Sequence, residues 1–89
     1  MKSIKINELK PEYNIIDIRK KEKYIKSHIY NARNINEDIL INMPQLYMNK
    51  DEIYYIYCST GLHSKRCCRL LEIQGYNVIN VEDGYENKV

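Results

Sequence analysis

The stretch "YYIYCSTGLHSKRCC" (residues 54–68) runs from an aromatic and β-branched segment, through a short loop with one glycine, into a basic segment. The six residues "EIYYIY" (52–57) carry the strongest strand signal in the chain, because such side chains suit a pleated, buried surface. The spacing in "SKRCCRLLEIQGY" (64–76) predicts a helix, with Ser64 as its N-cap and Gly75 as its C-terminal stop. Cys58 therefore falls at the carboxyl end of a strand, just before a helix. Either it is a small residue closing a strand, or it is a nucleophile held among backbone amides.

The same alternation extends in both directions. "NVINV" (77–81) and "NIIDI" (14–18) read as strands buried on both faces, while "SIKI" (3–6) and "ARNI" (32–35) read as shorter ones. "NELKPEY" (7–13) predicts one helical turn stopped near Pro11. "RKKEKYIKSH" (19–28) has helical propensity, with Tyr24 and Ile25 facing inward. Residues 36–49 place Ile39, Leu40, Met43, Leu46 and Tyr47 at helical spacing, with a break at Pro44. Strands alternating with helices predict an α/β fold. It is a small three-layer domain, residues 1–89, with a mostly parallel central sheet flanked by helices.

Composition narrows the function. Eighty-nine residues allow one core, and 44% hydrophobic with 29% charged residues is ordinary for a globular domain. With 14 basic and 12 acidic residues the net charge is only +2, so no nucleic-acid partner is expected. No apolar run reaches the ~18 residues of a membrane span, and "MKSIKINELK" lacks a signal-peptide core, so a cytoplasmic protein without a membrane partner is expected. Three cysteines without a CxxC pair argue against both a disulfide framework and a structural metal.

In a parallel sheet, sites form where strands end and helices begin. Two such junctions carry chemistry, Asp17–Arg19 and Cys58–Ser64. A nucleophilic thiol must be a thiolate, and a loop curling into a helix N-terminus offers unpaired N–H groups to hold one. Ser59, Thr60, Gly61, Leu62 and His63 can form that curl, with Gly61 supplying a tight backbone step. Ser59, Thr60, His63 and Ser64 can donate hydrogen bonds toward a bound anion. Cys67 and Cys68 read as small packing residues one turn into the helix. His28 reads as a structural hydrogen-bonding residue, and "RKKEK" (19–23) as a solvated face.

"YCSTGLHS" after an apolar strand resembles the active-site loop of rhodanese-like sulfurtransferases, roughly Cys-x-x-Gly-x-Arg-Ser. "IIDIRKKEKYIKSHIYNARNI" resembles the upstream segment of that family at Asp17, Arg19, Tyr24, Ser27-His28-Ile29 and Ala32-Arg33-Asn34-Ile35. "GYNVINVEDGYEN" resembles its closing segment, ending at Asp83-Gly84. The resemblance implies that Cys58 takes the sulfane sulfur of thiosulfate or a persulfide, holds it as a persulfide, and yields it to a thiol or cyanide. It implies no cofactor. A cysteine desulfurase or an acceptor protein would be the macromolecular partner. Asp17 and Arg19 would support the loop, with Arg19 orienting an anionic donor or holding the rim together. His63 stands where the family often has arginine. That exchange predicts weaker thiosulfate use and a pH-sensitive activity, or a preference for a bulkier persulfide donor.

Two other readings stand beside this one. A cysteine-dependent phosphatase or arsenate reductase needs a wider cradle, Cys-x5-Arg, but position 64 is serine. A regulatory or sulfur-carrier module would keep the loop without turnover.

Overall fold

The computed structural model describes residues 1–87. Its strands are β1 (Lys2–Ile4), β2 (Asn14–Asp17), β3 (Arg33–Asn34), β4 (Ile53–Tyr57) and β5 (Asn77–Val81). The helices are α1 (Lys21–Lys26), α2 (Glu37–Asn42) and α3 (Leu62–Ile73), with short 3₁₀ turns at Ile6–Glu8, Pro44–Leu46 and Tyr85–Asn87. The strands form one sheet in the order β1-β5-β4-β2-β3, and every pairing is parallel. The α/β architecture with a parallel sheet between helical layers is thus the one the alternation predicts. No helix among the described residues is long and apolar enough to cross a membrane.

The pleat sorts side chains onto two faces, because successive strand residues point to opposite sides. Ile16, Tyr54, Ile56 and Cys58 join Leu40, Cys67, Cys68 and Leu71 in the core under α2 and α3. Ile15, Tyr57 and Val81 join Ile6 and Ala32 on the other face, where Tyr24 of α1 also packs. Fully burying a single large side chain such as Ile56 contributes about 1.5–3 kcal/mol. Every strand runs the same way, so the ends of β2 and β4 reach one rim. The Ile18 N–H, just past β2, donates to the Tyr57 carbonyl there at 3.1 Å.

Several local expectations are corrected. The turn predicted over 7–13 is a 3₁₀ turn at Ile6–Glu8, well before Pro11. Ile25 is 67% exposed. The α1 helix is only six residues long, and Tyr24, one 100° step away, takes its inward side. Of the apolar set in 36–49, Leu40 is buried and Tyr47 partly so, but Ile39, Met43 and Leu46 are exposed. The helix ends at Asn42, so the 3.6-residue stripe is not carried through to Leu46. Finally, α3 begins at Leu62, which removes Ser64 from the N-cap position.

Candidate active site around Cys58

Gly61, not Ser64, is the N-cap of α3, and it turns the chain into the helix with φ of +96°. A side chain at that φ is strained, and a Cβ there would run into the Glu82 carbonyl oxygen. The turn folds the loop back over the cysteine. The Gly61 N–H donates to Cys58 Sγ at 3.1 Å and the Ser64 N–H at 3.3 Å. The Cys58 thiol reaches Ser64 Oγ at 3.5 Å, and that hydroxyl donates to the Gly61 carbonyl at 3.2 Å. The sulfur thus does what a capping side chain does, accepting an N–H that the helix leaves without an internal partner.

Cys58 is 3% exposed, yet it lies on the floor of a 380 Å³ cleft open to solvent. Ile18, Arg19, Ser59 and His63 border the same cleft. The rest of the loop faces away from the sulfur more than the sequence suggests. Ser59 Oγ accepts a hydrogen bond from Lys23 Nζ at 3.2 Å, and Thr60 and Leu62 are exposed. His63 is exposed on the cleft wall, with Nδ1 3.4 Å from a Glu37 carboxylate oxygen. Of the four proposed side-chain donors, Ser64 alone bonds at the sulfur. The backbone amides supply the rest.

The segment after β5 holds this loop in place. The Tyr85 N–H donates to the Cys58 carbonyl at 2.8 Å, and the Glu86 N–H to the Ser59 carbonyl at 2.9 Å. Gly84, with φ of +75°, allows the approach, since a Cβ there would stand 2.5 Å from the Ser59 carbonyl oxygen. A Gly61→Ala substitution is therefore expected to cost about 1–3 kcal/mol in backbone strain and to push the loop off Glu82. Urea unfolding should show the loss of stability, and modification of Cys58 by a sulfur donor should slow at least about tenfold. Unchanged stability and loading would contradict this account of the loop.

Asp17 and Arg19 form a buried pair on the α1 side of the rim. Arg19 Nε lies 3.1 and 3.0 Å from the two Asp17 oxygens, and Nη2 lies 2.8 Å from Oδ2. The same nitrogen donates to the Ser27 carbonyl at 2.7 Å, and the guanidinium sits 4.1 Å from the centre of the Tyr85 ring. Burial works against the Arg19 charge, but the Asp17 hydrogen bonds and charge outweigh it and hold its pKa above the ordinary value. The Tyr57 hydroxyl donates to Asp17 at 2.7 Å and accepts the Ile29 N–H at 3.1 Å, and burial pushes its pKa strongly up. Of the two roles open to Arg19, these contacts favour holding the rim together. His28 stacks on Tyr24, and its Nδ1 lies 2.7 Å from the Tyr24 carbonyl.

Four contributors were not legible as site residues. Tyr57 reads in the sequence only as the last residue of a strand, although the alternation of side chains puts it on the face opposite Cys58, where Asp17 lies. Lys23 was hidden in a charge run, but it borders the cleft and bonds Ser59 and Glu86. Glu37 accepts from Arg66 at 3.0 Å and faces His63. Gly84 stands in the sequence only as the end of the closing segment that resembles the family, with no contact to the loop assigned to it.

Cys67 and Cys68 are fully buried. Burial, with Glu37 next in effect, pushes the Cys67 thiol up to about 12 from an ordinary 9.0. Burial pushes Cys68 up as well, with Cys67 adding to it. Above pH 9 the unfolded thiols lose their protons while the folded ones keep them. The unfolded state then binds fewer protons, so stability falls as pH rises from 9 toward 12. The slope approaches about 1.4 kcal/mol per pH unit for each thiol. Urea midpoints should drop between pH 8 and 10, and drop less in a Cys67→Ala/Cys68→Ala variant. Equal drops in the two proteins would refute this origin.

A model of the rhodanese-like domain family matches residues 4–88. The chain belongs to that family. The putative sulfurtransferase YtwF of Bacillus subtilis is 35% identical over 74 residues, covering 82% of this chain and 70% of YtwF. A probable molybdopterin-synthase adenylyltransferase of Pyropia yezoensis is 32% identical over 75 residues, covering 83% of this chain. This rhodanese-like domain spans only 20% of that relative's length. The crystal structure of SSP1007 from Staphylococcus saprophyticus matches with a TM-score of 0.88 and 33% identity. That match covers 99% of this chain and 94% of SSP1007.

Proposed function

We propose that this rhodanese-like domain is a sulfurtransferase that carries sulfur on Cys58. The observation that carries the reading is the convergence of the Gly61 and Ser64 N–H groups on Cys58 Sγ at the floor of an open cleft. Donors fixed before the reaction stabilise charge on the sulfur without reorganising, and removal of one such donor typically costs ~10²–10³ in rate. Once the thiol proton leaves, the Ser64 hydroxyl can turn from the Gly61 carbonyl and donate to the sulfur as a third group.

Sulfur moves in two displacements. The Cys58 thiolate attacks the outer sulfur of the donor, forming Cys58 S–S. The donor's own S–S bond breaks, and its electron pair leaves with sulfite, or with a thiolate when the donor is a persulfide. An acceptor nucleophile, a thiolate or cyanide, then attacks the outer sulfur. The Cys58 S–S bond breaks and returns the electron pair to the Cys58 thiolate. Arg19, committed to Asp17 and Ser27, holds the rim beside this exchange. The role of Ser59 is to anchor the loop through Lys23 and Glu86.

Transfer to a partner protein, with a desulfurase as the supplier, is a second reading. It is favoured by the match to one segment of a much longer relative. Phosphatase chemistry is disfavoured, because a serine close to the sulfur stands where Cys-x5-Arg needs arginine. Thiocyanate formation from thiosulfate and cyanide, compared with sulfide release from a low-molecular-weight persulfide and a thiol, tests the proposal. Repeated turnover with either donor supports an enzyme. One sulfur transferred per chain supports a carrier, and none with any donor overturns the proposal.

A further inference from the structure

The mouth of the Cys58 cleft is electrically divided. Lys23 of α1 and Lys20 at its N-cap border it, and α1 packs on one face of the sheet. Glu37 and Asp38 border it from the start of α2, which packs on the other face. The cations thus come from the element on one face of the sheet and the carboxylates from the element on the other, and both border the cleft that Cys58 lines. The remaining charged neighbours are largely matched. Arg19 is neutralised by Asp17, and Glu37 is shared between Arg66 at 3.0 Å and His63 at 3.4 Å. Lys23 is held at 3.2 Å by Ser59 and paired at 3.3 Å with Glu86, which fixes its ammonium at the rim; both side chains of that pair are about half exposed, so solvent keeps the pairing weak. Asp38 is exposed, and no ion pair to it occurs among the described residues.

A doubly anionic donor such as thiosulfate meets attraction from the lysines and repulsion from the carboxylates. A small thiol carrying both a carboxylate and an ammonium meets attraction from both. The cleft volume of 380 Å³ lies at the small end of the ~300–1,000 Å³ usual for ligand pockets, which suits a compact molecule. We propose that Lys23 and Asp38 are specificity-determining residues that select a zwitterionic amino-acid thiol as the sulfur acceptor at Cys58. The inference rests on the sulfurtransferase reading above and names its acceptor class. The step balances as before: the acceptor's thiolate takes the outer sulfur, and Cys58 leaves as thiolate.

The test loads the whole protein with inorganic polysulfide and follows loss of the extra sulfur by intact mass. Four thiols serve as probes: cysteine, N-acetylcysteine (carboxylate only), cysteamine (ammonium only) and 2-mercaptoethanol (neither). Rates are corrected for each thiol's ionised fraction. Cysteine should be fastest, about tenfold over 2-mercaptoethanol, with the advantage shrinking in high salt. Lys23→Met should reduce the preference for cysteine over cysteamine about three- to fivefold, while Lys23→Arg should keep it. Asp38→Asn should reduce the preference for cysteine over N-acetylcysteine by a similar factor. Four equal corrected rates, or preferences unmoved by Lys23→Met and Asp38→Asn, overturn the inference and leave the sulfurtransferase reading intact. Failure of Cys58 to take up sulfur at all overturns both.

Discussion

Replacing Cys58 with serine is expected to abolish sulfur loading while leaving the fold in place. The serine oxygen can accept the same Gly61 and Ser64 N–H groups that now meet the sulfur at 3.1 and 3.3 Å. The loop keeps its capping acceptor, and the thermal midpoint should move by only a few degrees. A neutral hydroxyl is a far weaker nucleophile toward sulfur than a thiolate, so transfer should fall by at least about 10³-fold. Residual transfer within tenfold of wild type would place the reactive sulfur elsewhere.

The second large effect is on stability. Asp17 is fully buried and its charge is answered by the Arg19 guanidinium, whose own side chain is 5% exposed. An Arg19→Leu variant strands the carboxylate in the core, at a cost of about 3–5 kcal/mol. Against a typical total of roughly 5–15 kcal/mol for a small domain, the variant should be near unfolding at 37 °C. The Tyr57 hydroxyl still donates to Asp17 at 2.7 Å and the backbone N–H of residue 19 at 2.8 Å, but two neutral donors do not replace a bidentate cation. Adding Asp17→Asn removes the stranded charge, so the double variant should recover part of the loss in urea unfolding. A single variant within 1 kcal/mol of wild type would show that the pair is not what stabilises the rim.

The strands were legible because their signals are local. "EIYYIY" and "NIIDI" each carry enough β-branched and aromatic bulk to specify a buried strand without help from the rest of the chain. The position of Cys58 followed directly, since strand parity and a single glycine fix where the loop turns. Ser64 was misplaced because serine is a good N-cap on propensity alone. Gly61, reaching φ of +96° against Glu82, starts the helix earlier, and the cysteine sulfur takes the capping role. Met43 and Leu46 misled for the opposite reason: their spacing is helical, but the helix carrying it ends at Asn42, while Ile39 lies inside that helix and leaves the buried side to Leu40. Lys23 and Glu37 were out of reach of the sequence, because each acts through a neighbour distant along the chain.

Site-mapped mass spectrometry tests most directly the claim that the sulfur of residue 58, held by loop amides, receives the transferred atom. Trypsin cutting after Lys50, Lys65 and Arg66 puts Cys58 on one peptide and Cys67 with Cys68 on another. After exposure of the native protein to thiosulfate or a persulfide, the account predicts one added sulfur on the Cys58 peptide, removed by cyanide or a reducing thiol. Added sulfur on the Cys67–Cys68 peptide alone would contradict it, as would none on either.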